Sequence, residues 1–558
     1  MSTFLILIRF FTFLLLFYFT FSKGQTTNSS RFRITFRHGR GRLLMGDETS
    51  RKTSLSNSHP RHYDEEAFDK EKTGKSSPKT IIRRGTVTQK LDHFDGMNRR
   101  TWKQTYLVND RYYEKGGPIF LYLSGGAADM YWIGDAGLLP DWLVKAKKFN
   151  ALAFYLEHRY YGESRPTDTL SVTNLKHMTT YQALSDIANF IANMTELYDL
   201  GKSPWVLFGC SYAGSLAAWA RLKYPHLVSI AVASCAPLEA RLDFSEYAEV
   251  VADVLENEKP YCAINIRDST EIIESWIKEE RNLLKLKKLF YICDDEEFNP
   301  KDKLNMSVFF AHLANNIFNI VQHNKIKMGG ESDNLTVTAV CDIMTNEKLG
   351  TVVERFATVQ QNVLSTHRQP CFSISYTGLI NYLKSMEYEG EWRQWSFQAC
   401  NEFGFCQTSN SPYQPFGNRF DLDFYLKQCY DIYGFPVSMA QAQGIIAETL
   451  RQFGNRNSNM LTNVILTYGT NDPWYPLTAS KTFKSLNVIP IEGGSHCADF
   501  FTPDDAADSK AMRAARNKVD RLLKEMLKRS NGSKIGLSYM VIFVVLSFLY
   551  ATKLLVPW

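Results

Sequence analysis

Ser211, Asp472 and His496 are the residues whose types, order and surroundings could carry out nucleophilic acyl transfer in this 558-residue chain. Ser211 lies in Trp205-Val-Leu-Phe-Gly209-Cys210-Ser211-Tyr212-Ala213-Gly214, an apolar run that enters a turn of small residues and leaves it through helix-like Ser215-Leu-Ala-Ala-Trp219. A serine raised on a sharp strand-to-helix turn needs small neighbours, because strand and helix must pass close to one another. Gly209 and Ala213 supply them, although Ala213 stands where a glycine is usual. The helix start also places partial positive charge beside a developing alkoxide.

On this kind of scaffold the acid and the base follow the serine in that order. Asp472 comes after the apolar run Val464–Tyr468, in a loop held by Gly469 and Pro473. His496 follows 24 residues later in Gly493-Gly-Ser-His496-Cys497, room enough for one helix and one strand. Isolated aspartates often cap turns and isolated histidines often lie on surfaces; the shared order and strand contexts favour a triad here. His496 would take the Ser211 proton and return it to the leaving group, with Asp472 fixing the imidazole tautomer. The oxyanion would need the Tyr212 N–H and a second N–H from the loop after Ile119–Leu123, at Gly126 or Ala127.

The elements that must position these groups read as an α/β fold with a doubly wound, mostly parallel sheet. Ile119–Leu123, Ala151–Leu156, Trp205–Phe208, Val228–Ala233 and Val464–Tyr468 are short continuous apolar runs, the pattern of strands buried on both faces. Helical patterns such as Tyr181–Leu197 and Ser215–Tyr224 alternate with them. Residues 240–440 break the rhythm with amphipathic stretches at Ser269–Leu289 and Leu304–Gln322, and read as an inserted helical cap. The hydrolase domain would then comprise residues 85–239 and 441–530.

These motifs resemble the prolyl-carboxypeptidase/dipeptidyl-peptidase family of serine peptidases, most of all its thymus-specific serine protease branch. The likeness runs from about residue 86 to 510. It includes Gln89-Lys-Leu-Asp-His93-Phe, Glu157-His-Arg-Tyr-Tyr-Gly162-Glu-Ser and the Ser211 elbow. It continues through Trp395-Ser-Phe-Gln398-Ala-Cys400-Asn-Glu402, Asp472-Pro-Trp474 and Gly494-Ser-His496. The resemblance implies an α/β hydrolase with a helical cap, peptide substrates and exopeptidase cleavage next to proline. It also implies Trp395, Phe397, Gln398 and Trp474 near the substrate, with cap core as the competing reading for these aromatics. The chain departs from the family's pattern at Cys210, where a glycine is usual, and at Ser124-Gly125-Gly126-Ala127, where Gly-Gly-Glu-Gly is frequent. The missing acid bears on which peptide terminus is recognised.

Composition sets the compartment. Phe4–Phe21 is almost wholly apolar and is followed by small and polar residues, as in a signal peptide ending near Gly24. Residues 25–84 are basic and poor in apolar periodicity, a leader or propeptide ending at Arg83-Arg84. Asn28, Asn193, Asn305, Asn334 and Asn531 begin glycosylation sequons. Residues 535–552 are apolar for about one bilayer crossing, either an anchor helix or a lipid-anchor signal. Seven of the ten cysteines fall between 262 and 429, which predicts disulfides there. Cys210 is expected to be free, because a bridge would crowd the turn. No zinc-ligand spacing occurs, so neither metal nor cofactor is expected. The formal net charge of +6 is mild for this length and gives no nucleic-acid footprint. The sequence leaves the oligomeric state open, a dimer included. Two other functions compete with a peptidase: a membrane-attached hydrolase-like binding protein without catalysis, and an esterase on the same triad.

Overall fold

The five apolar runs form the centre of an eight-stranded sheet. The computed structural model describes residues 82–125, 139–324, 335–388, 390–455, 460–478 and 487–530. The strands are β1 (Ile82–Lys90), β2 (Thr101–Asn109), β3 (Ile119–Leu123), β4 (Leu152–Leu156), β5 (Trp205–Cys210), β6 (Val228–Ser234), β7 (Arg241–Asp243), β8 (Gly404–Cys406), β9 (Val464–Gly469) and β10 (Asn487–Ile491). The main sheet runs β1-β2-β4-β3-β5-β6-β9-β10, and β7 pairs with β8 in a separate two-stranded sheet. β1 and β2 pair antiparallel, β2 also runs antiparallel to β4, and the remaining pairs are parallel. This is the α/β-hydrolase arrangement, with its nucleophile-bearing strand near the middle of the sheet.

Side chains alternate between the two faces of each strand. Ile119, Leu121, Leu123 and Leu207 enter one core, together with helices Thr180–Leu197 and Tyr212–Lys223. Phe120, Tyr122, Val206 and Phe208 enter the other, closed by Trp142, Leu143, Val519 and Leu523. Leu523 and Val519 belong to a helical segment over residues 510–530. Because both faces are covered, the central strands carry no alternating polar residue, which is why they are legible as unbroken apolar runs.

The chain between β6 and β9 is mainly helical, as expected. The stretch read as one helix over Ser269–Leu289 is two, Cys262–Trp276 and Glu280–Leu289. The polar run Lys278-Glu279-Glu280 interrupts the apolar period, and Glu279 takes an extended conformation at the second helix's start. Three disulfides bind this region internally: Cys262–Cys341, Cys293–Cys371 and Cys400–Cys429. At the other end, the dibasic pair read as the end of a leader lies within a strand. Arg83 and Arg84 are strand residues of β1, paired with Asp110 and Glu163 respectively.

Candidate active site

β5 delivers Ser211 to the sheet's C-terminal edge. The serine has φ +58° and ψ −133°, a conformation that L-residues rarely adopt and that active sites retain where the surroundings enforce it. Its N–H donates to the Ser234 carbonyl at 2.9 Å, and its own carbonyl accepts from Ser215 N–H at 3.1 Å. The turn is tight enough that a Cβ at Gly209 would lie 2.2 Å from the Ala213 carbonyl oxygen. This is the packing reason for the small residue at that position. Tyr212 is the first residue of the helix, so its N–H lacks a helical acceptor by position and stands beside the serine.

Asp472 follows β9 and His496 follows β10, two adjacent parallel strands. The His496 Nδ1 lies 2.8 Å from Asp472 Oδ2, with both side chains buried. The other carboxylate oxygen accepts the Trp474 N–H at 3.0 Å. Ser211, Tyr212 and His496 line one cavity of about 480 Å³, walled on its far side by helices Lys303–Gln322, Trp392–Gln398 and Leu422–Tyr433.

One expectation is overturned beside the serine. Cys210 is not free: it is bonded to Cys497, with Cα atoms 5.8 Å apart. The bridge does not crowd the turn because Cys497 arrives from the histidine loop, a partner that chain distance concealed. Cys235 and Cys406 are the free cysteines, both buried. Cys235 lies against Cys497, whose N–H it accepts at 3.0 Å, and burial pushes its thiol well up, reinforced by the charges of Asp472 and Asp499. Among the described residues, Cys235, His496 and Cys497 gather ligand-type atoms within 4.8 Å. Cys497 sulfur is spent on the bridge and His496 Nδ1 on Asp472, so this trio is not an open metal site.

The four residues assigned by resemblance to the substrate separate into two groups. Trp395 and Trp474 stand on the cavity wall, Trp395 stacked against Phe405. Phe397 instead packs edge-on against Tyr433 and Phe435 in the core, and Gln398 is fully buried, accepting from Tyr161 Oη at 2.6 Å. On a helix a step of two residues points a side chain about 200° away, so Phe397 faces the core while Trp395 faces the cavity; Gln398, three residues on, shares the Trp395 face but is held in the interior by its bond to Tyr161. Gly126 and Ala127 lie outside the described residues; Ser124 and Gly125, just before them, are on the wall. Asn193 is exposed on its helix, and Asn305 is partly exposed with its Oδ1 accepting Tyr376 N–H. Asn28, Asn334, Asn531 and both terminal apolar stretches lie outside the described residues. Among those described, no helix is long and apolar enough to cross a membrane.

Other quoted motifs prove architectural. Arg159 is fully buried and makes two bonds to Asp186, at 2.6 and 2.8 Å, plus bonds to the Leu91 and His177 carbonyls. It ties β1's exit to the helix behind the sheet. His158 is buried beside Tyr212 Oη at 3.1 Å, and burial lowers its pKa to about 4. Gln322 and Tyr247, both on the cavity wall, are absent from every sequence motif and emerge only in three dimensions.

The model of the family described as serine carboxypeptidase S28 matches residues 89–519. The chain belongs to the serine carboxypeptidase S28 family. The S28 chain is 32% identical over 470 residues to the thymus-specific serine protease of Mus musculus, covering 81% of this chain and 89% of that one. The human protein of the same name is 31% identical over 468 residues, covering 81% and 88%. The lysosomal Pro-X carboxypeptidase of Mus musculus is 28% identical over 437 residues, covering 74% and 82%. The protein is therefore a serine peptidase of the α/β-hydrolase fold. The four bridges of this S28 peptidase fit the oxidising secretory pathway or the lysosome.

Proposed function

We propose that Ser211, Asp472 and His496 act as a catalytic triad and that the enzyme is an exopeptidase of short peptides. The observation that carries this reading is the Asp472–His496 hydrogen bond of 2.8 Å at the wall of the cavity that Ser211 also lines. With Nδ1–H donated to Asp472, His496 Nε2 is left as the base for the Ser211 hydroxyl. Attack on the scissile carbonyl gives a tetrahedral oxyanion that the Tyr212 N–H faces, with Gly126 or Ala127 supplying the second donor. Collapse passes the proton from Nε2 to the leaving amine, and water then releases the acyl-enzyme by the same route.

The helical roof and the cavity of about 480 Å³ favour chain ends and short peptides over folded proteins. Aromatic walls at Trp395, Trp474 and Phe405 suit an apolar ring, and the Pro-X carboxypeptidase relative supports cleavage next to proline. The same reading includes a cleaved signal peptide, glycosylation at the exposed Asn193, and attachment to a membrane through residues 535–552. Mass spectrometry of a mixed peptide library after digestion tests the substrate assignment. Removal of one or two residues from a single end, enriched at proline, is expected, and the truncated end distinguishes carboxypeptidase from dipeptidyl-peptidase action. Cleavage confined to internal bonds, or ester hydrolysis with no peptide product, would overturn it.

A further inference from the structure

We infer that Gln322, on the last turn of the Lys303–Gln322 helix, is a positioning residue that clasps both halves of the acid–base pair. The inference rests on the triad reading above. Gln322 belongs to the helical roof, not to the sheet that carries Asp472 and His496. Its backbone carbonyl accepts the His496 N–H at 3.0 Å. Its side-chain Oε1 accepts the Trp474 indole N–H at 3.0 Å and the Tyr247 hydroxyl at 2.6 Å. Its Nε2 lies 3.3 Å from His323 Nε2.

Trp474 is in turn fastened to the acid, because its backbone N–H donates to Asp472 Oδ1 at 3.0 Å. One residue therefore grips the histidine loop through its main chain and the aspartate loop through its side chain. Two residues on, the Asn324 carbonyl accepts the Ser495 hydroxyl at 2.9 Å, a second fastening of the same helix end to the histidine loop. The Trp474 and His496 ring centroids are 6.2 Å apart, so a rotation of the indole would be felt by the imidazole. The two loops also bond to each other, Asn471 N–H to the Gly494 carbonyl at 3.0 Å and Gly493 N–H to Thr470 Oγ1 at 2.9 Å, and the clasp adds a hold on both from the roof helix. A carboxylate–imidazole bond loses its use when either loop shifts, since misplacement by about 1 Å can cost roughly a hundredfold in rate. Through this clasp, seating of the roof helix sets the alignment of the catalytic pair.

Steady-state kinetics of Gln322→Leu on a peptide that the wild type cleaves tests this. Leucine keeps the size and the backbone carbonyl but removes the acceptor for both donors. The expected result is a fall in kcat of about ten- to a hundredfold, with KM changed less than about twofold. Gln322→Glu, which retains the acceptor, is expected to restore most of kcat. A rise in KM at unchanged kcat would mean that Gln322 binds substrate and would overturn the inference, as would no change at all. If Gln322→Leu does not fold, Trp474→Phe removes the same hydrogen bond from the other side. Its kcat is expected to fall, and full wild-type kcat in that variant would sink the inference. Labelling of Ser211 by a fluorophosphonate in the wild type keeps the two questions apart. Absence of labelling contradicts the triad reading itself, whereas labelling with an unaffected Gln322→Leu contradicts only the clasp.

Discussion

Cys210, the residue before the candidate nucleophile, is covalently joined to Cys497, the residue after the candidate base. The bond spans 287 positions of sequence and fixes the distance between two loops whose strands, β5 and β10, are not neighbours in the sheet. It therefore contributes to stability and to alignment at once. Replacing both cysteines by alanine is expected to lower unfolding stability by about 2–5 kcal/mol. Activity should fall further than the folded fraction does. Chemical denaturation measured alongside turnover checks both, and a non-reducing digest should yield the peptide pair containing Cys210 and Cys497.

The left-handed φ of Ser211 makes a separate prediction, in which stability and activity move in opposite directions. Strained non-glycine residues cost about 1–3 kcal/mol each. Ser211→Gly should relieve part of that cost and raise the melting temperature while abolishing turnover. Gly209→Ala should do the reverse of relief, since its Cβ would overlap the Ala213 carbonyl. A loss of about 3 kcal/mol or failure to fold is expected there. Calorimetry of the two variants against wild type is the measurement.

Much of this was legible in the chain itself, for identifiable physical reasons. β3 to β6 and β9 are buried on both faces, so their apolar runs stand out, and the turn at Ser211 needs small residues that can be seen in sequence. β1 and β2 are not legible in this way. β1 is the edge strand and β2 lies next to it; they carry exposed Arg83, Arg84 and Lys103, and begin with mixed polar and apolar residues instead of a continuous apolar run. The Cys210–Cys497 bond and the Gln322 clasp are contacts between distant segments, which neither periodicity nor motif spacing encodes. Trp395 and Phe397 sit two residues apart in one motif, yet only the helix direction decides that the first faces the cavity and the second the core.

Asp472 supplies the acceptor that holds the His496 ring, so an amide in its place should leave the fold intact and disturb the tautomer. Asp472→Asn is expected to lower kcat by about 10⁴-fold with a near-normal melting temperature. Turnover and calorimetry on the same preparation check it, and a loss of less than about tenfold would remove Asp472 from the mechanism.

Glu402 gives a pH signature. It is buried behind the cavity, where its carboxylate accepts the Thr180 N–H and hydroxyl. Burial pushes its pKa up to about 7, against the lowering effect of those bonds. The folded state then holds a proton that the unfolded state releases between about pH 4.5 and pH 7. Its contribution to stability is complete below that window and is lost as pH rises through it. Buried His158 and His312, both lowered to about 4 by burial, act in the opposite sense and lose stability as pH falls below 6.5. The Glu402 term is isolated by comparison with Glu402→Gln. The variant should gain on wild type as pH rises from 4.5 to 7, by at most about 3 kcal/mol, at about 1.4 kcal/mol per pKa unit. Urea unfolding of both proteins across that range reads the difference.

The most direct test of the account is the site of reaction with an active-site-directed fluorophosphonate. Purified protein should gain one adduct, mapped by tandem mass spectrometry to the Ser211 hydroxyl, and Ser211→Ala and His496→Ala should take up none at the same probe concentration. An adduct elsewhere, or equal labelling of wild type and Ser211→Ala, would contradict it.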